Sequence, residues 1–143
     1  MPQKIKFSRK LQKRFDRKEV PKSKEAAVLR DSSLSFLARE VAPEKTAALC
    51  FLMYLNIPTA KIIDLICDLE NGFMSCDDAK KTSILLTGLI RWKEIKCGCK
   101  EREKVKEMDR ALRELGKTEI ADVFMERHGN QTELTSDAFA NLG

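Results

Sequence analysis

Apolar residues recur at helical spacing through most of the 143-residue chain, and short polar breaks divide them into six blocks. Leu34, Leu37, Ala38 and Val41 form one face of a first helix, with Asp31 or Ser32 as its cap. Pro43 suits the start of a second helix, in which every residue of 47–55 is apolar or Tyr. Such a helix is expected to be buried on most sides. Asn56, Ile57 and Pro58 break it. A third helix from Thr59 turns Ile62, Leu65, Ile66 and Leu69 inward and Lys61, Asp64, Asp68 and Glu70 outward. After the Asn71-Gly72 turn signal, Ser75 or Asp77 caps a fourth helix to about residue 95, with Leu85, Leu89, Trp92 and Ile95 on one face. Val105, Met108, Leu112 and Leu115 stripe a fifth helix over about 101–115, and Gly116 stops it. Thr118 caps a sixth, over about 118–127, carrying Ile120, Ala121 and Phe124. Gly129 ends that helix, and 130–143 reads as a polar tail whose sizeable apolar groups are Leu134 and Phe139.

Six helices with short links and no strand-like alternation predict an all-α fold, a compact six-helix antiparallel bundle. Composition agrees, since Gly and Pro number only six and four. Hydrophobic residues at 43% and charged residues at 34% describe a soluble globular chain, and no apolar run reaches membrane-spanning length. Five cysteines are an odd number without framework spacing. Cys50 and Cys67 lie inside apolar helical segments, as reduced thiols do, which points to a cytoplasmic or nuclear setting.

Charge divides the chain. Residues 1–30 hold eleven Lys and Arg against three acids, a net +8; residues 31–143 hold sixteen against nineteen, a net −3. The first segment reads as a basic arm, 31–129 as the bundle and 130–143 as the tail. Phe7, Leu11 and Phe15 recur every four residues, so a short amphipathic helix ending before Pro21 is one reading of the arm, and a solvated extension is the other. The mild acidity of the bundle argues against the bundle itself as a nucleic-acid binder.

The last three helices resemble the death-domain superfamily, and its death-domain subfamily in particular. The resemblance rests on Ile84-Leu85-Leu86 leading to Arg91-Trp92-Lys93, on Gly98 followed by the stripe to Ala111-Leu112-Arg113, and on Gly116-Lys117-Thr118-Glu119-Ile120-Ala121. Phe51-Leu52 followed by Leu55-Asn56-Ile57 resembles the family's second helix and its exit, so the likeness covers about 32–128. Two positions depart: Ala48 stands where the family often has Trp, and Leu52 where it has a small residue. The neighbouring death-effector subfamily, with a comparable second helix, therefore stays open.

Catalytic chemistry finds no constellation. The one histidine, His128, suits a helix C-terminus, where the dipole favours it. Cys97 and Cys99 lie near basic residues but have no assigned base. Cys97 and Cys99 with Cys76 and His128 would make four metal ligands, but the pair is CxC rather than CxxC and no second pair follows. No enzyme activity, metal, cofactor or small-molecule substrate is expected.

The resemblance implies a death-domain-like Greek key and a signalling adaptor, in apoptosis or innate immunity, that binds other death-domain proteins or itself. Such contacts join unlike surfaces and can propagate. By resemblance the surfaces here are Arg39 and Glu40 on the first helix, Arg91 and Lys93 on the fourth, Glu44 and Lys45 at the start of the second, Lys61, Asp64 and Asp68 on the third, and Lys117 and Glu119 before the sixth. The alternative is a protein whose basic arm, residues 1–30, binds nucleic acid or an anionic membrane while the bundle serves as scaffold.

Overall fold

The computed structural model describes residues 25–140; residues 1–24 and 141–143 lie outside it. Among the described residues there are six α-helices and no strands: α1 Asp31–Val41, α2 Ala47–Tyr54, α3 Thr59–Ile66, α4 Asp78–Ile95, α5 Glu101–Glu114 and α6 Thr118–Gly129. Single 3-10 turns at Ala27–Leu29 and Phe73–Ser75 precede α1 and α4. No helix among these residues is long and apolar enough to cross a membrane.

The longest helix, α4, is central, and α1, α2 and α3 all pack on it. It buries Ile84, Leu85, Gly88, Leu89 and Trp92, a run at three- and four-residue spacing. Gly88 makes room for α2: a Cβ there would lie 2.7 Å from both Cδ atoms of Leu52, fully buried on α2, so Leu52 would have to shift. The second packed pair is α5 on α6, joined to the rest through α2 against α5. Val105, Met108, Ala111 and Leu112 face inward on α5, and Ile120, Ala121 and Phe124 on α6.

Three helices stop by one device. After α2, α5 and α6 the chain enters the left-handed region at Asn56 (φ 62°), Gly116 (φ 88°) and Gln131 (φ 56°). The amide that follows each donates back across the last turn: Ile57 to the Leu52 carbonyl at 3.2 Å, Lys117 to Leu112 at 2.9 Å, and Thr132 to Arg127 at 2.9 Å. These bonds satisfy carbonyls that a helix end otherwise leaves open.

Several expectations need correction. Gly129 lies inside α6, and Gln131 makes the stop, because the last turn continues until a residue takes positive φ. Asp31 and Thr118 are first helical residues rather than caps, and neither helix has a side-chain cap. Asp77 does cap α4, accepting from the Lys80 amide at 2.8 Å. Ile95 is 49% exposed, since α4 has run past its partners by its last turn. Met53 and Tyr54 on the apolar second helix are exposed too, although α1, α3, α4 and α5 all pack against that helix.

Both flanks contribute to the core. Val28 and Leu29, within the segment read as arm, are fully buried, as is Leu134; Phe139 is nearly so. One side chain ties the flanks together. The Ser33 hydroxyl, buried on α1, donates to the Ala27 carbonyl at 2.7 Å and accepts from the Leu134 amide at 3.0 Å. Glu133 adds a bond from Ser32 and an ion pair with Arg30.

Candidate interaction surfaces

The eleven charged candidates fall into three groups. The first gathers at the α1–α2 loop and the α5–α6 turn. Glu40, Lys117 and Glu119 line one shallow cleft of about 330 Å³. Glu44, Lys45 and Lys117 line a second, of about 260 Å³. An ion pair between Glu44 and Lys117 bridges the two clefts and holds the loop against the turn. Lys45 takes positive φ (42°), and its carbonyl accepts from Lys81, a lysine only 6% exposed whose ammonium also sits over the Phe73 ring.

The second group lies on α1 and α4, which pack together. Arg39 and Arg91 are exposed. Arg39 stacks on the Phe36 ring at 5.3 Å, which orients its guanidinium without neutralising it. Lys93 differs from both. It is largely buried and bonded to Asp31 at 2.8 Å, Glu25 at 3.0 Å and the Leu29 carbonyl at 2.8 Å. Burial by itself would lower its pKa, but the hydrogen bonds to Asp31 and Glu25 outweigh that and hold it above the ordinary lysine value. The Lys93 ammonium is thus engaged inside the molecule, clamping the Ala27–Leu29 turn to α4.

The third group is Lys61, Asp64 and Asp68, exposed along α3 and the residues after it. Among the described residues, none of Arg39, Arg91, Lys61, Asp64 or Asp68 has an ion-pair partner.

The residues weighed for other chemistry do not converge. His128 lines a cleft of about 450 Å³ with Glu25, Arg30, Glu101 and Gln131. Glu101 is committed there: one oxygen accepts from the Ala26 amide at 3.1 Å and the other from Lys104 at 2.8 Å. The five thiols are free, with Cys67, Cys97 and Cys99 exposed. Among the described residues no group of three or more His, Cys, Asp or Glu side chains is placed to hold a metal ion.

Sequence reading missed Ser33, Gly88 and the pairing of Glu44 with Lys117. A serine on an apolar helical face was the only available signal for the first. For Gly88 it was a glycine inside a strongly periodic helix. No family model, curated protein or solved structure matches the chain.

Proposed function

We propose that the chain is a non-enzymatic signalling adaptor, cytoplasmic in setting, whose helices adopt a death-domain-like Greek key and bind other domains of that kind or further copies of itself. The observation that carries this reading is exposed charge of opposite sign on separate elements, with no ion-pair partner among the described residues: Asp64 and Asp68 on α3 and just after it, Arg39 and Arg91 on α1 and α4. A molecule with both signs free on different surfaces is suited to head-to-tail contact, in which complementary charge sets partner choice and encounter rate. The residues on which the resemblance rests also carry structure: Leu85 and Trp92 are buried on α4, Ala111 and Leu112 on α5, Ile120 and Ala121 on α6, and Gly116 takes the left-handed stop. Apoptotic or innate-immune signalling is the setting the resemblance implies. Lys93 and Lys117 are less suited to contact a partner than the other candidates, because each is already paired within the bundle.

Sedimentation of the full chain across salt and concentration tests the reading. Self-association, or binding to a death domain, is expected to weaken by more than about 1 kcal/mol when Asp64 and Asp68 are both changed to Lys, with circular dichroism unchanged. Reversal of a facing basic residue should restore part of that loss. A chain that stays monomeric, binds no death domain and ignores the reversals overturns it. The basic arm supports the second reading: binding to DNA or to anionic vesicles that falls steeply with salt would carry it.

A further inference from the structure

Residues 62–79 contain five acids and no Lys or Arg, the longest base-free stretch in the bundle to carry so much negative charge. All five are exposed: Asp64, Asp68, Glu70, Asp77 and Asp78. Among the described residues none of them is in an ion pair, whereas Glu25, Asp31, Glu44, Glu101 and Glu107 all are. Two large apolar side chains stand out of the same stretch, Ile63 at 51% exposure on α3 and Met74 at 58% in the Phe73–Ser75 turn. Asp68 and Glu70 border a cleft of about 390 Å³ between the loop after α3 and that turn. Among the described residues, the segment from α3 to the start of α4 thus presents two exposed apolar side chains and five carboxylates without ion-pair partners.

We propose that this stretch is covered by the N-terminal segment of the same chain, residues 1–24. That segment lies outside the described residues, and its sequence complements the stretch. It has ten Lys and Arg against two acids, and Phe7, Leu11 and Phe15 recur at four-residue spacing among them. An amphipathic segment of that pattern brings apolar anchors to Ile63 and Met74 and cations to the five carboxylates, as amphipathic helices do on grooved partners. Reach permits it. Glu25 is held at Lys93, and α4 rises about 22 Å from there back to Asp78. Nine extended residues span about 30 Å, so Phe15 and everything before it reaches the acidic stretch. The contact is independent of assembly, but it occupies Asp64 and Asp68 and would compete there with a second domain.

Zero-length carbodiimide cross-linking of the full chain, at a concentration where it is monomeric, tests this. Equal parts of nitrogen-15 and ordinary protein are mixed, so that each link is read as within one chain or between two. Single-isotope links from Lys4, Lys6, Lys10 or Lys13 to Asp64, Asp68, Glu70, Asp77 or Asp78 are the expected result. Changing Phe7, Leu11 and Phe15 together to Ser should cut their yield at least about tenfold, the effect of losing one buried apolar anchor. Links spread evenly over Glu103, Glu114 and Glu126, links of mixed isotope only, or a yield indifferent to the serine changes would each overturn the proposal. So would an arm that links to none of these acids and binds only DNA or anionic vesicles. None of these outcomes depends on whether the domain self-associates.

Discussion

Ser33 is a small residue with a large structural share. Its hydroxyl is buried and uses both its donor and an acceptor position. Ser33→Ala would leave the buried Leu134 amide without its partner, while the Ala27 carbonyl keeps the Arg30 amide at 3.3 Å, and about 1–3 kcal/mol should be lost in urea unfolding. Hydrogen exchange at the Leu134 amide should quicken in the same variant. Gln131 offers the opposite case. It holds positive φ without glycine's freedom, so Gln131→Gly should gain about 0.5–1 kcal/mol once glycine's unfolded-state entropy is set against the relieved strain. Lys93 gives a pH dependence. Its folded pKa is raised, so its contribution is complete below the ordinary lysine value and is lost as pH climbs through the raised one. Unfolding free energies measured from about pH 8 to about pH 11 should therefore decline more steeply in the native chain than in Lys93→Met. None of these three roles was visible beforehand. A serine amid apolar residues reads as tolerated, Gln131 is outranked by the neighbouring Gly129, and Lys93 resembles any other cation near a helix end. What separates them is burial and partners distant in sequence.

The elements themselves were far more legible. All six helices stand where apolar periodicity puts them, with ends differing by a few residues, because the pattern that signals a helix is the face that buries it. Leu112, predicted inward, is fully buried, and Leu112→Ala should cost about 2–5 kcal/mol by the same urea assay. Periodicity is silent about how closely two helices approach. That distance is set where Gly88 meets Leu52. Gly88→Ala gains about 1 kcal/mol of helix propensity but overpacks a closed contact, and a net loss of about 1 kcal/mol is expected. With Leu52 shortened to Ala, the added methyl at 88 should instead stabilise. A double-mutant cycle without that change of sign would show that the two helices can separate freely. The exposure of Met53, Tyr54 and Ile95 has the same origin: a run of apolar letters records composition, whereas burial also needs a neighbour.

For the molecule as a whole, sequence placed the charge and the structure sorts it. Of the eleven surface candidates, Glu44 and Lys117 neutralise each other and Lys93 is turned inward, while Arg39, Arg91, Asp64 and Asp68 are exposed and have no ion-pair partner among the described residues. Only the fold makes that division, since an exposed ion and a paired one look alike in a string of letters. The flanks were harder still. The body extends past 31–129 at both ends, because single apolar residues such as Leu29 and Leu134 have no period to announce them, yet each fills a place in the core. Their meeting at Ser33 has a mechanical meaning. Tension applied between residues 25 and 140 would not be shared along the length of the bundle. It would fall first on the contacts that hold the two flanks: the Ser33 hydroxyl with its two hydrogen bonds, Glu133 at the edge, and the bonds of Lys93 and Glu101 to Glu25, Leu29 and Ala26. The clasp should open first, freeing the Ala27–Leu29 turn and the segment after α6 while α2 to α5 hold. Pulled by its ends, the domain would behave as a latch that yields in two steps, and optical-tweezer traces should show a short early extension that comes at lower force in Ser33→Ala.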